Sequence, residues 1–294
     1  MSMQALLVEY GEAMQYAAFF GALVLMGGLE AAKPARTLPE RKRRWPANFG
    51  LTALNILALG ALPITVLSAA AWAAGEGVGL LNQVDWPWWA VLVLGFSGRS
   101  LVGYGVHAAM HKIPVLWRVH RVHHLDTAMD ITTTVRFHPL EFVIQVVPAV
   151  AVVTLLGLPV WVIMAYEIVD AFTAVATHSN LRLPARLERA VRWIFVTPDV
   201  HRIHHSARQA ETDSNYGALF TCWDRLFRTY VDHPQGGHVG MTLGLEHWRE
   251  HKRAQGIGWL LISPLLPTPD NPASGKTAET PKQAELRASS SHAS

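Results

Sequence analysis

The chain has 294 residues, of which 50% are hydrophobic and only 16% are charged, and its mean hydropathy is positive, at +0.19. This composition excludes an ordinary soluble enzyme and is typical of an integral membrane protein. The net charge of +3 is small, and the single cysteine, Cys222, excludes an internal disulfide framework and any cysteine-based zinc or iron–sulfur site. Cys222 is expected to be a small buried residue beside Trp223.

Three apolar segments in the first part of the chain predict membrane-spanning helices. They cover residues 13–29, 47–73 and 88–106, and about 17–25 apolar residues suffice to cross a bilayer core. Three tryptophans between residues 86 and 89 open the third segment, as in the aromatic belt of a membrane interface. The first residues lack the basic region of a cleaved signal peptide, so the first segment is expected to remain in the protein.

A basic loop, residues 33–44, separates the first two spans. Its basic residues are Lys33, Arg36, Arg41, Lys42, Arg43 and Arg44. Cytoplasmic loops of membrane proteins carry an excess of lysine and arginine, so we place this loop in the cytoplasm. A nucleic-acid-binding patch is disfavoured, because apolar spans flank the basic run on both sides.

Residues 142–157 and 160–177 predict a helical hairpin with an uncharged tip from Gly157 to Val160. Pro148 is expected to kink the first arm, and this arm is short enough to be re-entrant instead of spanning. If the basic loop is cytoplasmic, this order of spans brings residues 107–138 and 178–205 to the same, cytoplasmic side.

Histidine at metal-ligand spacing is the strongest signal in the chain, because ten of its fifteen histidines lie between residues 107 and 205. They form an H-x-x-x-H pair, His107 and His111, and two H-x-x-H-H motifs, His120–His123–His124 and His201–His204–His205. Residues three and four apart lie on one helix face, so each motif is expected to aim two or three imidazoles at one point. Three such clusters exceed the needs of one metal ion, and we predict a site for two.

The predicted donor set is almost entirely nitrogen, because the clusters contain no Glu-x-x-His motif of the kind found in soluble di-iron bundles. Neutral imidazole suits zinc, iron, copper and nickel. Nearby carboxylates are expected to hydrogen-bond to the rings and fix their tautomers. The candidates by sequence proximity are Asp126, Asp130, Glu141, Asp199 and Asp213.

The remaining histidines carry different expectations. His178 ends an apolar arm at the membrane face and is predicted to be a further ligand. His138, in an Arg-Phe-His-Pro sequence, is either a ligand or a hydrogen-bond partner of the ligands. The others lack ligand spacing and are expected at the surface or, for the last, in a disordered tail: His233, His238, His247, His251 and His292.

The order and spacing of these motifs over roughly residues 88–231 resemble the fatty acid hydroxylase/sterol desaturase superfamily. The matching strings in the first half are His107-x-x-x-His111, Leu116-Trp117-Arg118-x-His120-x-x-His123-His124 and Arg136-x-His138-Pro139-x-Glu141. Those in the second half are His178-Ser179-Asn180, Thr197-Pro198-Asp199-x-His201-Arg202-x-His204-His205, Asp213-Ser214-Asn215-Tyr216-Gly217 and Trp223-Asp224-Arg225-Leu226-Phe227.

The resemblance implies an integral membrane di-iron oxygenase with a histidine-rich cytoplasmic cap, using O2 and externally supplied electrons. It implies Asn215 and Tyr216 as residues that shape the site, counted as catalytic with the eight motif histidines. The metal ligands that it implies are His107, His111, His120, His123, His124, His178, His201, His204 and His205.

Three positions depart from the pattern of the superfamily. Ala108 follows the first histidine where members usually have arginine, and Ser100 stands where members usually have aspartate. The Phe-Gly-Thr-Tyr ending appears here as residues 227–230, with arginine as its second residue. These departures leave the ligands intact and concern the tuning and the substrate of the enzyme.

The leading interpretation is a membrane-bound di-iron oxygenase that hydroxylates or desaturates a sterol-, fatty-acyl- or alkylglycerol-like lipid from the bilayer. The sequence has no His-Pro-Gly-Gly cytochrome motif, so an external ferredoxin or cytochrome must supply electrons, and the basic loop is a candidate docking site. The cap is expected in the cytoplasm, with the protein in a bacterial inner membrane.

Two alternatives stay open. A membrane zinc hydrolase would use an activated water, although a catalytic zinc site usually needs only three protein ligands. A catalytically inactive lipid- or metal-binding membrane protein is favoured by Ser100 and Ala108.

The predicted fold class is all-α and integral to the membrane, with about three spanning helices, a helical hairpin and a helical histidine-rich cap. We divide the chain into N-terminal membrane helices at 1–87, a fatty acid hydroxylase-like catalytic domain at 88–250 and a tail at 264–294. The tail is predicted to be disordered because proline, serine, alanine, threonine and lysine dominate it.

Overall fold

A computed structural model describes residues 1–38, 41–248 (without the side chain of residue 247) and 255–267. Across these residues the chain is helical, and two isolated bridges, Phe195–Phe220 and Ser206–Leu243, are its only β-pairing. The α-helices are α1 Met3–Ala32, α2 Arg41–Gly60, α3 Val66–Gly75, α4 Trp88–Lys112, α5 Pro114–His124, α6 Pro139–Leu156, α7 Val160–His178, α8 Ala185–Val191, α9 Pro198–His204, α10 Gln209–Thr212, α11 Cys222–Leu226, α12 Gly237–Gly240 and α13 Ile257–Ile262.

Four of the described helices, α1, α4, α6 and α7, are long and apolar enough to cross a membrane. They confirm the predicted all-α fold, the first and third spans, and both arms of the hairpin. α6 runs unbroken through Pro148 over 18 residues with a mean hydropathy of 2.0, which is long enough to span. Gly157 then ends α6 in the left-handed conformation at a φ of +66°, as glycine commonly does after a helix.

The predicted second span, residues 47–73, is wrong as a single helix. The structure divides it into α2, which ends at Gly60, and α3, which begins at Val66, and neither is among the four candidate spans. Pro63 lies in the break, where its missing N–H and its ring oppose a continuous helix. Thr65 then caps α3 by accepting a hydrogen bond of 3.1 Å from the Ser68 backbone.

The spanning helices pack side by side, and the clustered histidines lie at one end of this bundle. α1 packs along α7, and α4 packs against both arms of the hairpin. A Cβ at Gly11 in α1 would lie 2.4 Å from Met164 Cγ in α7, so a small residue permits this close approach. The loop after α3 meets the hairpin tip, where a Cβ on Gly79 would lie 2.2 Å from Gly157 N. The segment from α2 to α3 therefore connects the histidine end to the opposite end.

The predicted basic loop, residues 33–44, is partly helical and partly buried, which corrects the expectation that the whole segment is a loop. α2 begins at Arg41, and the fully buried Arg44 pairs with Asp126 and, at 2.9 Å, with Asp130. Arg36 donates hydrogen bonds to the backbone carbonyls of His238 and Met241 at 2.8 and 2.6 Å. Both arginines thus hold the cap together.

The start of the predicted tail lies within the described residues. Residues Ser263–Leu265 form a 3-10 turn, and Arg121 donates hydrogen bonds to the carbonyl oxygens of Ser263 and, at 3.0 Å, Leu266. The rest of the predicted tail from residue 268 lies outside the described residues.

Candidate metal centre

Nine histidines meet at the end of the spanning helices in two groups, and within each group the ring nitrogens offered lie within 4.8 Å of one another. The five-histidine group consists of His107, His111, His120, His124 and His204. The four-histidine group consists of His123, His178, His201 and His205. These are the nine residues that the sequence predicted as ligands, and the structure brings all of them together.

Each H-x-x-H-H motif contributes to both groups, which corrects the expectation that each motif aims at one point. His120 and His124 lie in one group and His123 in the other, and the second motif, carried by α9 and its C-cap His205, repeats the division with the groups exchanged. The helix turns by about 100° per residue, so residues four apart are offset by only about 40° while consecutive residues diverge. The motif therefore serves two adjacent sites from one helix.

Imidazole rings of the two groups pack directly against each other. The rings of His124 and His205, one from each group, stack with centroids 4.7 Å apart and an interplanar angle of 23°. His201 and His204 also face each other across the boundary, with ring centroids 5.4 Å apart. Two metal ions held by these groups would therefore be neighbours.

The ring nitrogens within each group are spaced like ligands around a cation. In the five-histidine group, Nε2 of His120 lies 3.1 Å from Nε2 of both His107 and His124. In the four-histidine group, Nε2 of His178 lies 2.9 Å from His201 and 3.2 Å from His123. Ligand nitrogens about 2.0–2.1 Å from a metal ion are separated by about 2.9–3.0 Å when they bind at right angles. The groups therefore fit metal binding.

In five of these histidines, the ring nitrogen that points away from the group, Nδ1, faces an oxygen atom. The proton then sits on Nδ1, and the nitrogen that points into the group keeps a free lone pair. The acceptors are the backbone carbonyls of Tyr216, Arg136, Ser214 and Ala174 for His107, His123, His204 and His178, and the carboxylate of Glu141 for His120, at distances of 2.7–3.2 Å. A neutral imidazole has one N–H, and donating it outward fixes the tautomer that can bind a metal. The inward Nε2 atoms of His111 and His204 are buried and have no hydrogen-bond partner among the described residues.

Burial keeps five of the clustered histidines uncharged, namely His123, His124, His201, His204 and His205. It lowers the pKa of His123, His124, His201 and His205 well below the usual value, and neighbouring imidazoles lower it further. Burial likewise lowers the pKa of His204 to about 3. Neutral imidazole is the form that binds metal ions, so these groups are ready to bind at neutral pH.

Two of the five candidate carboxylates reach the histidines. Glu141 Oε1 accepts the 2.8 Å hydrogen bond from His120 Nδ1 in the first turn of α6. Asp213 Oδ1 lies 3.4 Å from His111 Nδ1 without forming a hydrogen bond to it, and Asp213 Oδ2 lies 3.2 Å from Lys112 Nζ. A carboxylate behind a metal-binding imidazole orients the ring and raises its basicity.

The other three candidate carboxylates neutralise buried arginines instead. Asp126 and Asp130 hold Arg44, and Asp199 pairs with Arg202. A buried guanidinium without a counter-charge is strongly destabilising. These three carboxylates therefore stabilise the fold by neutralising arginines. Proximity to the histidines along the chain does not reveal this role.

His138 caps α6 and is in neither group. Its Nδ1 accepts a hydrogen bond of 3.2 Å from Leu140 N, and its Nε2 lies 3.2 Å from the carbonyl oxygen of Leu261. His138 therefore links the start of α6 to α13 and uses both ring nitrogens outside the metal groups.

Tyr216 lies at the site and Asn215 supports it. The Tyr216 ring packs 5.1 Å from the ring of His111, and its carbonyl accepts from His107. Asn215 takes a φ of +52° and donates to the carbonyls of Val200 and Val231 at 3.2 and 3.0 Å, a backbone conformation that asparagine tolerates better than most residues.

Two supporting residues were given no role from the sequence. The buried Asp224 accepts hydrogen bonds of 2.8 Å from the backbone N–H groups of Tyr216 and Gly217. The Trp117 ring packs 4.9 Å from the ring of His111. Both stand in the motif strings, but only the fold shows what they contact.

Several peripheral expectations have mixed outcomes. His233 is exposed as expected, but the His238 side chain is only 10% exposed and lies 3.7 Å from Asp199. Burial lowers the pKa of His238 to about 4. Cys222 is exposed, so the expectation of a buried cysteine is wrong. No described side chain tests His247, and His251 and His292 lie outside the described residues.

The departure at Ser100 has a visible partner. Its hydroxyl accepts a hydrogen bond of 3.0 Å from Trp223 Nε1 and donates to the carbonyl of Phe96 at 2.6 Å. Ser100 therefore joins α4 to α11, in the layer of α4 that precedes the histidines.

Comparison with known proteins gives a consistent result. The fatty acid hydroxylase family model matches residues 92–229. The chain is 32% identical over 160 residues to the ornithine lipid hydroxylase of Rhizobium tropici, covering 54% of this chain and 47% of that protein. It is 31% identical over 178 residues to a fatty acid hydroxylase of a Lecanicillium species (53% and 47%), and 26% identical over 167 residues to the alkylglycerol monooxygenase of Xenopus tropicalis (53% and 33%).

The chain spans less than half the length of each of these relatives, and no solved structure matches it significantly. The matched segment contains all nine clustered histidines, Glu141 and Tyr216. Residues 92–229, somewhat under half of the chain, are therefore similar to the fatty acid hydroxylase family and to lipid hydroxylases and monooxygenases.

Proposed function

We propose that this chain is a membrane-bound di-iron oxygenase that hydroxylates or desaturates a lipid, with O2 as co-substrate. The observation that carries the proposal is the pair of adjacent histidine groups at the end of helices that can cross a membrane. The similar proteins named as lipid hydroxylases and monooxygenases support it. Because the chain covers only part of those proteins, their substrates come to it as a proposal.

The number of ligands favours iron over the zinc hydrolase. Imidazole alone does not select iron, because zinc, copper and nickel accept the same donor. A catalytic zinc site usually uses three protein ligands, whereas these groups offer five and four. Two iron ions bound there would supply the activation of O2, with two electrons from a donor protein, for attack on an unactivated C–H bond.

The residues behind the histidines hold the rings in place. The Tyr216 carbonyl and the Glu141 carboxylate fix the rings of His107 and His120, each through an outward Nδ1. Asp224 in turn fixes the Tyr216 loop through two backbone hydrogen bonds. In this proposal these residues keep the inward lone pairs aimed at the metal positions before any metal binds.

A lipid substrate would approach from the bilayer beneath the groups. His107 and His111 end α4 and His178 ends α7, and both helices are apolar enough to span. The Tyr104 ring, one turn before His107, lies 6.1 Å from the Tyr216 ring, and both side chains are buried. These rings exclude water from the membrane side of the five-histidine group.

The proposed substrate is a sterol-, fatty-acyl- or alkylglycerol-like lipid. An external ferredoxin or cytochrome would donate electrons. Arg41 and Lys42 are among the exposed basic residues at the histidine end, with Lys33 and Arg43, and such residues could contact an acidic carrier. By the same charge bias we place the cap on the cytoplasmic side of the membrane. We propose that this membrane is a bacterial inner membrane.

The proposal is tested by isotope incorporation. Protein loaded anaerobically with Fe(II), in vesicles of bacterial polar lipids, is supplied with reductant and labelled oxygen, and the lipids are examined by mass spectrometry. We expect a labelled hydroxyl group, or loss of two hydrogens with oxygen consumption. His204→Ala should abolish this product, whereas His233→Ala, an exposed histidine outside both groups, should preserve it.

Other outcomes favour the alternatives. Lipid cleavage that needs zinc but neither O2 nor reductant would establish the hydrolase. Bound iron without oxygen consumption, across sterol, fatty-acyl and ether lipids, would establish the inactive protein.

A further inference from the structure

A second apolar surface lies on the cap, on segments outside the spanning helices. Its side chains belong to residues 185–195 and 222–230 and are 40–67% exposed. They are Leu187, Trp193, Ile194, Phe195, Leu226 and Phe227. So large a concentration of exposed aromatic and aliphatic side chains marks a binding surface.

The two segments form one continuous surface. The Thr221 backbone N–H donates a 3.0 Å hydrogen bond to the carbonyl of Ile194, and Phe195 bridges to Phe220. The Arg225 guanidinium lies 4.7 Å from the centre of the Trp193 ring. We call residues 185–195 and 222–230 together the interfacial surface.

The contacts of the interfacial surface with α4 set its depth. Trp223 donates to Ser100, and the Phe227 ring stacks on Tyr104 at 5.3 Å with an interplanar angle of 17°. At about 1.5 Å per residue from Trp88, Ser100 lies about 18 Å and Tyr104 about 24 Å along the helix. Both positions fall within a hydrocarbon core of about 30 Å. The side chains packed beside them are therefore at membrane depth.

The charges of the interfacial surface suit phosphate. Its exposed charged residues are all arginines, Arg186, Arg189 and Arg228, whereas its two acidic residues, Glu188 and Asp224, are buried. Tryptophan, phenylalanine and leucine combined with arginine are typical of segments that lie at the boundary between acyl chains and headgroups.

We propose that the interfacial surface binds the bilayer directly, with its apolar side chains among the acyl chains and its arginines at the lipid phosphates. Phe227 then touches lipid on one side and Tyr104 on the other, and Tyr104 neighbours Tyr216 beside His107. Lipid held here is the lipid beside the five-histidine group. That it is also the source of the substrate rests on the proposed function.

Spin labels at single cysteines test the proposal. Cys222→Ser removes the only cysteine, and Leu226→Cys or Trp193→Cys then places the label on the interfacial surface. Val24→Cys on α1 and Val239→Cys on α12, both exposed, give references for hydrocarbon and for water. In vesicles of phosphatidylcholine and phosphatidylglycerol, we expect both surface labels to match Val24→Cys in high accessibility to O2 and low accessibility to an aqueous nickel complex.

Two results would overturn the proposal. Accessibility like that of Val239→Cys would place the surface in water. Protection from both O2 and nickel would show that protein, such as a second copy of the chain, covers it. Because the labels need neither metal nor turnover, this test can fail while the oxygenase stands, and the oxygenase can fail while the surface binds lipid.

Discussion

Glu141 supplies the most direct charge behind the histidine groups, and replacing it tests how the site is held. Its buried carboxylate accepts 2.8 Å and 3.2 Å hydrogen bonds from His120 and Gln145. Glu141→Gln keeps an acceptor but removes the charge, and Glu141→Leu removes both. In the leucine variant the outward Nδ1 of His120, a 2% exposed residue, loses its partner.

The expected losses follow from this geometry. Removing the partner of a metal-binding histidine costs about 10- to 100-fold in metal affinity, which corresponds to about 1.4–2.8 kcal/mol. We place Glu141→Gln near the lower limit, because the hydrogen bond survives. Glu141→Leu belongs near the upper limit, because a buried donor is left unpaired.

The assay is anaerobic titration of the metal-free protein with Fe(II) against a competing chelator. Glu76→Gln is the control, because Glu76 is exposed in the loop after α3, and it should leave the affinity unchanged. Affinities of both Glu141 variants within about twofold of the parent would refute the reasoning, since removal of such a partner costs at least about tenfold.

Three further predictions concern stability. Arg44→Met should destabilise the protein by about 3–5 kcal/mol, because it strips the counter-charge from buried Asp126 and Asp130; the exposed Arg41→Met should change the free energy of unfolding by less than about 0.5 kcal/mol, and thermal melting compares the two. Gly157→Ala should cost at least about 1 kcal/mol, because φ is +66° and a Cβ would lie 2.8 Å from Val78 O, whereas Gly60→Ala, with open space around its Cβ, should have no comparable effect on melting. The metal-free protein should lose stability as the pH falls from about 6.5 towards about 3, because burial lowers the folded-state pKa of His204, and of His123, His124, His201 and His205, below the unfolded value, so that the unfolded chain binds more protons; melting curves that do not change over this range would contradict it.

The elements that local pattern determines were predictable from the sequence. The length of the apolar segments predicted α1, α4 and the two arms of the hairpin. The first arm ends at Gly157, in the predicted uncharged tip. Eight of the nine histidines were identifiable because ligand spacing is a local property of helices, and His178 because it ends an apolar arm. The second span was mispredicted because hydropathy averages over Pro63, while helix continuity depends on that single residue.

What the sequence did not show depends on contacts between distant segments. Asp126 and Asp199 stand beside the histidine motifs yet serve Arg44 and Arg202. The same applies to His238, which the fold buries near Asp199. The division of each H-x-x-H-H motif between two groups needed the helix axes to be placed, because spacing alone does not say how many centres the rings surround. The division of the chain into domains remains a prediction.

Arg44 and Arg36 also have contacts that the sequence did not reveal. The sequence placed both in the basic loop, but in the structure their side chains bind residues of the cap. Their position at the histidine end still agrees with a cytoplasmic cap, since the bias concerns which side of the membrane holds positive charge.

We propose that the two histidine groups hold a pair of iron ions. The iron content of anaerobically reconstituted protein, combined with the Mössbauer spectrum after oxidation, tests this proposal. We expect about two irons per chain, from one ion in each group, with an antiferromagnetically coupled diferric signal. Protein that does not retain iron under these conditions, and holds zinc instead, would contradict it.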